Sequence, residues 1–160
     1  YDQQGPDVYT LQVCFDLEGT IDAPALRAAA QTLLARHANL RAGFRHEGLS
    51  RPVQVIPADA DVPWRELDLS GLGEAERAAE AELFLVRDRE ERFDPARPPL
   101  LRFTLLTLGD DRHRLVFTHH HLLLDGWSLP VLARELFTLY GNPRGDLPAV
   151  RPYSDHLKWL

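Results

Sequence analysis

The sequence predicts an α/β (α+β) layer, a mixed β-sheet flanked by helices, on three observations. Apolar runs with strand character alternate along the chain with segments of helical periodicity. Two of the strand-like runs, Leu100 to Leu108 and Arg112 to His121, are joined only by Gly109-Asp110-Asp111 and so lie side by side. Prolines and glycines close the elements: Pro95, Pro98 and Pro99 end one helical pattern, and Gly141 and Pro143 end the next.

Taken in order, Val8 to Leu17 reads as a strand with Tyr9, Leu11, Val13 and Phe15 on one face. Asp22 caps a helix with Pro24 in its first turn, where a missing N–H costs little. Leu26, Ala30, Leu33, Leu34 and His37 recur along it at helical spacing. Leu40 to His46 and Val53 to Ile56 read as two short strands around a hairpin-like turn at Glu47-Gly48. Residues 57–72, broken by proline and glycine, read as a connection. From Glu74 to about Arg92 the pattern is helical, with Ala75, Ala79, Leu83 and Val86 as the apolar stripe and the charges on a solvated face. Beyond the two adjacent strands, Ser128 is placed to cap a helix whose Leu132, Leu136 and Leu139 share a face. Residues 141–152 read as a loop, and Tyr153 to Leu160 begin a further helix.

Composition narrows the class. At 160 residues with 44% apolar content the chain fits one domain with a real core. The net charge of −6 and the dispersed arginines argue against a nucleic-acid footprint. No apolar run approaches the ~20 residues that cross a bilayer, and the first residues do not read as a signal peptide. The single cysteine, Cys14, rules out an internal disulfide, fits the reducing cytoplasm, and reads as a small buried hydrophobe in its strand. The chain has no methionine, which reads as a piece excised from something longer, and its 17 arginines against one lysine fit a GC-rich bacterial genome.

The chemistry concentrates in His120-His121-Leu122-Leu123-Leu124-Asp125-Gly126. An imidazole at the end of a strand stands at the mouth of a cleft, and a ring with an ordinary pKa near 6.5 suits proton handling at neutral pH. Period-two alternation puts His119 and His121 on one side of the strand and His120 on the other, so one of the paired histidines faces a cleft and the other faces packing. Three readings stand. The histidines are hydrogen-bonded core groups; or His119, His121 and Asp125 ligate a metal, although no Cys or Glu at ligand spacing completes that site; or His121 does acid–base work with Asp125 as a structural partner. A Ser-His-Asp triad through Ser128 is set aside, because Ser128 serves as the helix cap and no Gly-x-Ser-x-Gly elbow exists. A buried Asp125 needs a cation, since an unpaired buried charge is costly.

His120 through Ser128 resembles the signature of the condensation domains of non-ribosomal peptide synthetases. The short catalytic pattern also occurs in carnitine, wax-ester and polyketide-associated acyltransferases and in chloramphenicol acetyltransferase. Further blocks occur in the right order. Arg36-His37-Ala38-Asn39-Leu40-Arg41-Ala42-Gly43-Phe44 resembles the family's Arg-His-x-x-Leu-Arg-x-x-Phe segment, and Tyr153-Ser154-Asp155-His156-Leu157-Lys158-Trp159 resembles its Tyr-x-Asp-(aromatic)-x-x-Trp segment. Phe93-Asp94 with Pro98-Pro99-Leu100-Leu101-Arg102 resembles its approach to the central strand. The family's first Ser-x-x-Gln-x-Arg helix is absent ahead of Tyr1, its second lobe is absent beyond Leu160, and His119 takes a slot that is more often apolar.

The resemblance implies one chloramphenicol-acetyltransferase-like lobe: residues 1–160 are the N-terminal lobe of a condensation domain, with the active site in a tunnel shared with the C-terminal lobe. The implied reaction is peptide-bond formation, in which the amine of an acceptor aminoacyl thioester attacks an upstream peptidyl thioester. Both are carried on phosphopantetheine arms, and no cofactor is bound directly. The implied partners are donor and acceptor carrier proteins, the C-terminal lobe and adjacent synthetase domains, and the piece alone is expected to be inactive. Asn39-Leu40-Arg41-Ala42 and the Leu122–Ser128 run resemble the branch joining a D-configured donor to an L acceptor. The resemblance makes His121 the general base or positioning group, Gly126 an N–H donor to the oxyanion or acyl group, and His120 a support behind the strand. It makes Arg36 or Arg41 the salt-bridge partner of Asp125, while Trp127 reads as core. The alternatives are an O-acyltransferase of the same superfamily and a non-catalytic half-domain serving as a folding or interaction unit.

Overall fold

The computed structural model describes residues 7–143, 145 and 147–150, so the expected helix from Tyr153 lies outside the described residues. The elements run β1 (Thr10–Glu18), α1 (Ala23–Arg36), a 3-10 turn (Ala38–Arg41), β2 (Gly43–Arg45), β3 (Val53–Val55), β4 (Trp64–Asp68), α2 (Glu74–Glu90), β5 (Leu101–Gly109), β6 (Arg112–His120) and α3 (Ser128–Gly141). Four strands form one mixed sheet in the order β1-β6-β5-β4, antiparallel except for the parallel β4–β5 pair. The antiparallel pair β2–β3 forms a separate ribbon.

Helices cover both faces of the sheet. Leu26, Leu33 and Leu34 of α1 and Leu132 and Leu136 of α3 pack with Leu101, Phe103, Leu105, Leu115 and Phe117. On the opposite face Ala81 and Leu85 of α2 pack with Leu106 and Val116. Burial on both faces is why β5 reads as a continuous run rather than an alternation. The Asp22 cap takes its place, its carboxylate accepting the Ala25 N–H at 2.9 Å.

Three expectations are corrected. The connection at 57–72 contains β4, a five-residue edge strand whose Arg65, Glu66 and Asp68 hide the apolar alternation. The buried stripe of α2 is Ala81, Leu85 and Asp88, while Leu83 and Val86 are exposed. Cys14 is exposed rather than buried in its strand.

Asp88 explains the rotation of α2. Its carboxylate is 3% exposed and meets Arg102 of β5, itself 4% exposed, with the guanidinium Nε donating to Oδ1 at 2.8 Å. Gln12 of β1 donates to Oδ2 at 2.8 Å, and the Thr118 hydroxyl of β6 donates to the same oxygen. Arg102 also donates to the carbonyls of Asp88 and Glu91 and lies 4.4 Å over the Phe93 ring. Burial pushes the Asp88 carboxyl up, but the bonds from Thr118, Arg102 and Gln12 outweigh it and hold it below the ordinary carboxylate range. One ion pair thereby joins α2 to three strands.

Candidate active site

The last ladder residue of β6 is His120, which pairs with Thr10. The chain then turns, with the His121 N–H donating to the Tyr9 carbonyl at 2.8 Å and the Leu123 N–H to the His120 carbonyl at 3.0 Å. His121 is exposed at an open cleft of about 680 Å³, whose lining includes His37, Asn39, Phe44, Leu124, Trp127 and Val131. Its Nδ1 lies 2.9 Å from the Leu124 carbonyl oxygen. A carbonyl only accepts, so Nδ1 carries the proton in the neutral ring and Nε2 holds the lone pair.

The neighbouring histidines lie elsewhere. His120 is 1% exposed, stacks on Tyr9 at 5.9 Å between ring centroids, and accepts the Leu122 N–H on Nδ1 at 3.1 Å. His119 is buried and stacks on Phe117 at 5.0 Å. Because the strand stops at His120, His119 and His121 are separated, one inside the core and one at the cleft. Burial lowers the pKa of both His119 and His120, in His120 partly offset by Asp7.

These two rings make the fold sensitive to acid. Above pH 6.5 both rings are neutral whether the chain is folded or not. Below it the unfolded chain takes up protons that the folded chain resists, so stability falls by up to about 1.4 kcal/mol per pH unit for each ring until the folded-state pKa is reached. Urea titrations should give a midpoint that drops from about pH 7 toward pH 5, and His120→Phe should flatten that dependence.

Asp125 does not pair with Arg36 or Arg41. Its carboxylate is exposed, so the desolvation argument for a counter-ion does not apply. Instead Oδ1 accepts the Ser128 N–H at 2.8 Å and the Ser128 hydroxyl at 2.7 Å, and these bonds lower its pKa. Ser128 is therefore the first residue of α3 rather than its cap, and the Asp125 side chain closes the helix start. Arg41 is buried at the end of α1, donating to the carbonyls of Leu34 (2.7 Å), Ala35 (2.8 Å) and Pro57 (3.1 Å). Trp127, expected in the core, is 89% exposed at the cleft. Gly126 lies exposed between Asp125 and Trp127, with open space where a Cβ would stand.

Arg36 has a different carboxylate. Its Nε donates to Glu135 Oε2 at 3.0 Å, and His37 Nε2 lies 2.7 Å from the same oxygen. Burial pushes the Glu135 carboxyl up, but His37 and Arg36 hold it below its ordinary range. The cluster locks the end of α1 to α3 beside the cleft. Sequence reasoning missed it, although a Glu standing between Leu132, Leu136 and Leu139 on an apolar stripe is the signal.

Comparison with known proteins places this geometry. A family model described as "Condensation domain" matches residues 3–160. Over 98% of its length the chain is 35% identical to bacitracin synthase 1 of Bacillus licheniformis, of which it spans 3%. It resembles the crystal structure of the SgcC5 protein from Streptomyces globisporus with a TM-score of 0.81 and 29% identity, covering 94% of this chain and 35% of that one. It resembles the first condensation domain of the calcium-dependent antibiotic synthetase, solved with a substrate analogue, with a TM-score of 0.79 and 27% identity, covering 93% of this chain and 36% of that one. No helix among the described residues is long and apolar enough to cross a membrane.

Proposed function

Since the chain belongs to the condensation-domain family, we propose that residues 1–160 are the N-terminal lobe of such a domain and that the domain joins two carrier-bound thioesters through a peptide bond. The observation that carries this reading is His121: an exposed imidazole at a cleft, its Nδ1 engaged by the Leu124 carbonyl and its lone pair left on Nε2.

The chemistry asks little of the protein. A thioester is already activated, so no covalent enzyme intermediate is needed. The acceptor amine attacks the donor carbonyl, a C–N bond forms, and the carbonyl oxygen gains negative charge. Nε2 of His121 takes the amine proton and returns it to the departing thiol as the C–S bond breaks. The Gly126 N–H is the donor proposed for the oxyanion. Holding two tethered arms end to end supplies much of the acceleration, about 7–11 kcal/mol in the best intramolecular cases. The donor and acceptor carrier proteins, their phosphopantetheine arms, the C-terminal lobe and the neighbouring synthetase domains are the partners of this reading, and His120 supports the strand end from behind.

The test loads the synthetase that contains this segment with donor and acceptor carriers. An amine acceptor should give an amide, and the matching hydroxy-acid acceptor should give no ester. Ester formation in preference to amide would favour the O-acyltransferase reading instead, and no product from either acceptor would favour a half-domain without activity. In the same assay a D-configured donor should outrun its L epimer, as the resemblance of the Asn39–Ala42 and Leu122–Ser128 runs suggests; faster turnover of the L epimer would overturn the subtype.

A further inference from the structure

Resting on that reading of His121, we propose that Asn39 is a positioning residue, which holds the turn that aims the imidazole. Asn39 sits in the 3-10 turn and lines the cleft. Its Nδ2–H donates to the Leu123 carbonyl at 3.2 Å, and its Oδ1 accepts from Gln54 Nε2 at 2.9 Å. The Leu123 N–H is held on its other side by the His120 carbonyl.

Leu123 is thus fixed at both polar groups. Its carbonyl belongs to the planar peptide unit that leads into Leu124. The next carbonyl along, that of Leu124, is the one that engages Nδ1 of His121. Tilting the Leu123–Leu124 peptide would therefore carry away the acceptor that fixes the ring. The platform for this bond is rigid: Leu40 is buried, and Arg41 is anchored on three carbonyls. A carboxamide suits the position because it donates to one neighbour while accepting from another. An aspartate of the same size keeps the acceptor for Gln54 and loses the donor to Leu123.

The experiment measures single-turnover amide formation in the synthetase that contains this segment, its donor carrier loaded and the acceptor presented on a separate carrier protein at varied concentration. N39L and N39D are each expected to lower the rate constant by about 10–100-fold, with the half-saturating acceptor concentration within about twofold of wild type. A single-turnover rate constant does not depend on the fraction of enzyme that is folded. A purely structural role would therefore lower the amplitude and leave the rate constant alone, and that result overturns the proposal. Gln54→Ala, on the exposed side of the relay, is expected to slow the step by about 3–10-fold. It decides the matter if the Asn39 variants do not fold, and an unchanged rate constant overturns the proposal. His121→Ala in parallel separates the two levels. An inactive H121A with normal Asn39 variants sinks this inference alone, whereas a fully active H121A sinks the reading beneath it.

Discussion

Replacing His121 with alanine should slow amide formation by about 10²–10⁴-fold, the range for loss of a positioned proton-transfer group. The protein should remain folded, because the ring is exposed and its removal opens no cavity in the core. His121→Asn should be equally slow: its amide can still donate to the Leu124 carbonyl, but it offers no basic nitrogen. His120→Ala should behave oppositely. That ring is buried, stacked on Tyr9 and bonded to the Leu122 N–H, so its loss should appear first as a lower unfolding midpoint. Rate constants and urea midpoints measured on the same variants distinguish the two histidines. Wild-type turnover in H121A would remove the residue from the mechanism.

Arg102→Ala should cost about 3–5 kcal/mol of stability, because it leaves the Asp88 carboxylate buried without its cation. That is a large share of the roughly 5–15 kcal/mol that holds an ordinary domain together. The loss should exceed that of Arg65→Ala, whose partner Glu91 is half exposed at the surface. Replacing both members, Arg102 by Met and Asp88 by Leu, should recover much of the loss, since an apolar pair of similar volume removes the stranded charge. Denaturant titration of the single and double variants measures it, and a double variant no more stable than R102A would show that the network stabilises through more than charge compensation.

Periodicity finds the three helices and the two central strands among the described residues because those segments are long and their burial is one-sided or complete. The edge strand β4 escapes it because that strand is short and charged. The α2 stripe is misassigned because its buried face carries Asp88, and hydrophobic spacing cannot anticipate a carboxylate whose partner lies on another element. The cleft histidine is legible from its place at a strand end. Its neighbours are less so. A buried Asp125 would need an arginine partner, whereas its exposure removes that need and the local Ser128 satisfies the oxygen. The size of Trp127 points to the core, and the structure leaves it at the cleft. Arg36 stands out as a residue of a functional block, but its carboxylate, Glu135, lies 99 positions away, a distance no local pattern spans.

The four-stranded sheet distributes its side chains unevenly. The central strands β5 and β6 supply Leu101, Phe103, Leu105, Leu115, Val116 and Phe117 to the core, while the outer two carry Asp16 and Glu18 on β1 and Glu66 and Asp68 on β4. A foreign strand seeking to extend the sheet at either rim would have to crowd those carboxylates and strip their water. The apolar central strands are thereby flanked by carboxylates along β4 and at the C-terminal end of β1, which discourage templated growth at those stretches of the rim.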